Sequence, residues 1–174
     1  MSPAATARVT LASLVALVVL AAVVGWVALT SPFPTSEDLP PCVDTRIAKG
    51  QEVFPAQVTV SVFNASRRNG LASRTMGDLA GRGFVEARTG NVPDAKVRGV
   101  QIWAENAKNP AVALVRAQFR NATVVKGKAL GPGVVVVVGD GRVPMRDVGK
   151  APTSVKSVGP ATICSPPGSA DTPA

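Results

Sequence analysis

The stretch Phe63–Ala72, "FNASRRNGLA", sets two adjacent arginines and an asparagine in front of a glycine that opens a helix-like pattern. Guanidinium groups beside the unpaired N–H groups of a helix's first turn make an anion site, because charge and free donors point the same way. Arg67, Arg68 and Asn69 are therefore the candidate ligand-binding residues, and a phosphate- or carboxylate-bearing group is the chemistry they fit. A merely solvated loop is the other reading of the same residues. Nucleotide binding is not supported: the stretch has neither the Gly-x-x-x-x-Gly-Lys-Ser/Thr loop nor three spaced glycines.

Catalytic chemistry is hard to find. The chain has no histidine, so it has no imidazole base, no histidine metal ligand and no Ser-His or Cys-His pair. No catalytic residue, metal ligand set or cofactor is assigned. Asp140, in "VVVGDGR", is the one carboxylate at a strand end, and "GDG" reads first as a tight turn. The two cysteines, Cys42 and Cys164, lack Cys-x-x-Cys spacing and flank the region that carries the regular patterns. If that region is exported they meet an oxidising compartment and are expected to form a disulfide.

Export is what the N-terminal sequence implies. Val9–Leu29 is a run without charge or proline, long enough for a helix to cross the roughly 30 Å hydrocarbon layer. Arg8 precedes it, whereas acidic Glu37 and Asp38 come before the next basic residue, Arg46. That asymmetry predicts a cytoplasmic N-terminus (residues 1–8), a single-pass anchor in the cell membrane (9–29) and an extracytoplasmic remainder. A cleaved signal peptide is the alternative, but its apolar core is shorter, about 7–15 residues, and "ALTSPF" is a poor cleavage site. Residues 30–56 read as a proline-rich linker and lead-in, 57–150 as one domain, and 151–174 as a Pro/Ser/Gly-rich, mostly irregular tail tied back by Cys164.

All 11 acidic and 18 of the 19 basic residues lie beyond the apolar run, giving that part a formal charge of +7. Outside the membrane such an excess suits anionic lipid, an anionic cell-wall polymer or an acidic envelope protein partner, and nucleic acid is not expected there.

Between the flanks, "QVTVSVF" alternates as a one-side-buried strand, and Leu71, Ala72, Met76, Leu79 and Ala80 follow at helical spacing. Asn69 is the candidate N-cap, with Gly81 and Gly83 as stop signals. Strands are predicted from Phe84, over "GVQIWAE" (99–105), over 123–126 and through the pentavaline Val134–Val138, which is apolar on both faces as a central strand is. Asn109-Pro110 opens a second helix. The result is an α/β chain: a transmembrane helix plus a small two-layer domain with a mixed sheet and two helices on one face. The opposite face, with Thr59, Ser61 and Gln101, is expected to be partly open. On it Trp103, Val135 and Val137 form a candidate contact surface, unless the linker or tail covers them.

The residues "VTVSVFNASRRNGLASRTMGDLAGRGF" with the closing "VVVVVGDG" resemble the LytR C-terminal domain family over roughly Gln57 to Gly141. Asn64, Gly70-Leu71-Ala72, Gly83-Phe84 and Val134 to Asp140 hold the family's motif places, which look structural more than catalytic. With one anchor and this domain alone, the chain is most similar to an actinobacterial branch concerned with envelope integrity. The resemblance implies a non-enzymatic role in the cell envelope. Enzymes sharing the domain attach glycopolymers to peptidoglycan through a separate ligase module, for which 174 residues are expected to leave no room. An enzyme or accessory subunit of that transfer is the alternative.

Overall fold

A computed structural model describes residues 15–26 and 42–168, which fall in two units, Met1–Leu39 and Pro40–Ala174. In the first, residues 15–26 are helical (α1). Among the described residues no helix is long and apolar enough to cross a membrane. Residues 9–14 and 27–29 of the expected anchor lie outside the described residues.

The second unit is built on a five-stranded mixed sheet. Its strands are β3 (Thr59–Asn64), β4 (Val85–Asn91), β5 (Val100–Trp103), β6 (Ala122–Val125) and β7 (Val134–Val138), in spatial order β4-β3-β7-β5-β6. Only the β5–β7 pairing is antiparallel. The pentavaline strand is central, as its two apolar faces require. Helices α2 (Leu71–Ala80) and α3 (Pro110–Ala117) both pack on one face, where Val60, Val62, Ile102, Val136, Leu79 and Leu114 share a core.

Local chemistry sets the helix ends. Asn109 caps α3 through its side-chain oxygen, which accepts from the Ala111 N–H at 3.0 Å, and Pro110 occupies the first helical position. For α2 the expected cap is wrong: the N-cap is Gly70, in the left-handed region at φ 73°, with no side-chain cap. The chain must swing sharply from the loop into the helix there, and only glycine makes that turn without cost. At the other end Gly81 is the C-cap and Gly83, at φ 87°, turns the chain into β4.

The flanks contribute more than the sequence suggests. β1 (Val43–Ile47) pairs antiparallel with β9 (Ala161–Ser165), and β2 (Glu52–Val53) with β8 (Val155–Lys156), so lead-in and tail zip together. Ile47, Val53 and Ile163 enter the main core. Cys42 and Cys164 are disulfide-bonded with a Cα–Cα distance of 5.3 Å, as expected.

The far face of the sheet is not open. Thr59 and Ser61 are fully buried there, and the Ser61 hydroxyl donates to the Pro132 carbonyl at 2.7 Å. Phe63, Val97, Val135 and Val137 form a second core, with Val92, Ala95 and Leu130 packed against it. Val135 and Val137 are thus not a contact surface. Residues of the domain's own β4–β5 and β6–β7 connections cover them, and of the three proposed residues only Trp103 stays partly exposed.

Candidate functional site

Asn64, at the end of β3, organises the arginine loop. Its buried side chain accepts from the Ser66 N–H (2.9 Å) and hydroxyl (2.8 Å) and donates to the Arg68 carbonyl (2.7 Å). An asparagine bonded to its own following backbone in this way closes a turn. Main-chain bonds fix the loop's base: Ala65 N–H donates to Val138 and Val92 N–H to Asn64. The loop is therefore tied to both strands that flank β3.

The three candidate residues do not act together. The Arg68 guanidinium donates to the Gly141 carbonyl, so it braces the loop against the turn after β7. Asn69 is exposed and neither caps α2 nor reaches the neighbouring cleft. Arg67 does line that cleft, a cavity of about 770 Å³ where β3 and β7 end and β5 begins. It is joined there by Lys96 and Arg98, with Asp140 and Gln101 also on the wall.

Lys96 and Arg98 arrive from the β4–β5 connection. They flank Val97, whose burial turns the side chains on either side outward. The connection lies so close to β7 that a Cβ on Gly139 would meet the Val97 carbonyl oxygen at 1.9 Å. Backbone bonds Asp140 N–H to Val97 O (2.9 Å) and Gly99 N–H to Asp140 O (2.8 Å) complete the seam. Asp140 is thus both a turn residue and a cleft residue.

The cleft holds three cations and one carboxylate, all exposed. Among the described residues the two salt bridges are Arg120–Asp147 and Lys150–Asp147, so none of the cleft cations is engaged in one. Guanidinium and ammonium groups without a protein counter-ion favour oxyanions, and arginine offers a planar fork for phosphate or carboxylate. The cleft is a surface of positive potential. Sequence reading missed Lys96 and Arg98 because "DAKVRGV" has no glycine signature and no long basic run; the cation-valine-cation alternation was the available signal.

Residues 57–141 match the family model described as LytR_C, LytR cell envelope-related transcriptional attenuator, over the span read from the motifs. No curated protein matches the chain. Among solved structures, the chain is similar to the soluble domain of a conserved hypothetical secreted protein from Mycobacterium marinum. Identity is 28%, over 55% of this chain and 69% of that one, with a TM-score of 0.45.

Proposed function

Taking the LytR_C domain at residues 57–141 as the premise, we propose that this chain is a non-enzymatic envelope protein. The apolar run 9–29 anchors it, and its extracytoplasmic domain holds an anionic envelope component in the Arg67–Lys96–Arg98 cleft. The observation that carries the reading is the convergence of three cations without salt bridges on one cavity, on a scaffold fixed by Asn64 and Gly139. The family's link to the cell envelope supports the setting. The length of the apolar run, and Arg8 before it with no further basic residue until Arg46, support the anchor and its orientation.

Arg67→Gln, Lys96→Gln and Arg98→Gln combined remove the positive field while keeping chain length and polarity. All three side chains are exposed, so the melting temperature is expected to stay at the parent value. Binding to a phosphate-bearing wall polymer or to vesicles containing anionic lipid is expected to fall at least about tenfold at low salt, about 1.4 kcal/mol. The remaining binding should respond less steeply to added salt. The wall polymer and vesicle arms separate the two sources of anion. Equal binding by parent and triple variant in both arms, across a salt series, would remove the cleft from the function. Turnover of a glycopolymer by the purified protein alone would favour the transferase alternative.

A further inference from the structure

A second groove, of about 330 Å³, lies where β5 ends and β7 begins, at the opposite end of the sheet from the basic cleft. Its chemistry is the reverse. Asp44 and Glu105 line it, among the described residues no lysine or arginine does, and its apolar wall includes Ile163 and Val134. Both carboxylates are exposed, and neither takes part in a salt bridge among the described residues.

Trp103 is the fixed element of this groove. Gly127 packs so tightly on the indole that a Cβ there would come within 2.5 Å of ring atoms, and Trp103 Nε1 donates to Gln101 Oε1 at 3.1 Å. The ring orientation is therefore set, and its N–H is spent within the domain. Asn109 is likewise committed, donating to the Thr162 carbonyl at 2.8 Å while its oxygen caps α3. With the indole and amide donors in use, the uncommitted charged groups are acceptor-only carboxylates beside an aromatic ring. A ligand that complements them brings donors and a positive charge, and the apolar wall takes up its hydrocarbon stem.

We propose that the Trp103 groove binds a primary ammonium group on an aliphatic stem, as carried by a lysine-bearing peptide segment, with Asp44 and Glu105 as its counter-ions. The domain then has two sites of opposite sign at opposite ends of one sheet, and this second site does not depend on the function assigned to the basic cleft.

The chain has two tryptophans, so Trp26→Phe in the full-length protein in detergent micelles leaves Trp103 as the sole indole reporter. The probes are acetyl-Gly-Lys-Gly-amide and the same peptide acetylated on the lysine Nε. The lysine peptide is expected to shift Trp103 emission saturably, with the acetylated peptide at least about tenfold weaker. Asp44→Asn with Glu105→Gln should reproduce that loss at an unchanged melting temperature. No saturable response to the lysine peptide, or equal responses to both peptides, overturns the proposal. Because the peptide comparison uses the intact site, it decides the matter even where the double variant folds poorly.

Discussion

Gly133→Ala is expected to destabilise the domain by about 2–5 kcal/mol, the sum of about 1–2 for a left-handed non-glycine residue and about 1–3 for overpacking. Gly133 has φ 73°, and a Cβ there would stand 2.0 Å from the Thr59 carbonyl oxygen and 2.5 Å from its carbon. Both atoms are backbone, so no side chain can swing aside. Relief requires β3 and β7 to part just where Val60 pairs with Val134, in the middle of the sheet. Because the loss approaches the whole stability of a small domain, the variant should be largely unfolded or show a strongly lowered urea midpoint. Gly70→Ala is the internal control. It shares φ 73° but has nothing within 4 Å, so it should cost only the conformational part, about 1–2 kcal/mol. Equal losses for the two variants would mean that the close approach of the β6–β7 loop to Thr59 is not a feature of the folded protein.

Loss of the Cys42–Cys164 bridge is the second large effect. Its 122-residue separation gives a chain-entropy value of about 5 kcal/mol as an upper figure, and native bridges commonly contribute about 2–5 kcal/mol. The bridge sits at the open end of the β1–β9 ribbon, beside the Val43–Ser165 pair. Without it the ribbon is held by its ladder and by Ile47 and Ile163 in the main core. Cys42→Ser with Cys164→Ser should lower the denaturation midpoint accordingly. Amide exchange in β1 and β9 should accelerate before exchange in β3 and β7, because the ribbon becomes the least constrained unit. An unchanged midpoint would show that the flanks contribute nothing beyond their local contacts.

The central sheet was legible because its signals are dense. Val58, Val60 and Val62 alternate, five valines run together, and Asn109-Pro110 marks a helix start by chemistry that belongs to that place alone. The ribbons were not, since β2 and β8 are two residues each and β9 lies among prolines, glycines and serines. A pattern of two residues has no period to detect. Nor could the sequence reveal that Arg68 is already engaged, because its acceptor, Gly141, is 73 residues away. Arg67, Lys96 and Arg98 converge only through the Gly139 contact, a relation between three segments that no single stretch displays. Likewise Val135 and Val137 looked available because the residues that cover them, Val92, Ala95 and Leu130, are scattered through polar connections.

The most direct test of the central claim is a titration of the ¹⁵N-labelled domain, Pro40–Ala174, with a phosphate-bearing wall polymer, following every backbone amide by NMR. Binding in the proposed cleft predicts saturable shifts confined to Ala65–Arg67, Lys96–Arg98 and Asp140, lost in the triple glutamine variant. Shifts spread over unrelated basic surfaces such as Lys126, Lys128 and Arg74, or no shifts at all, would contradict it.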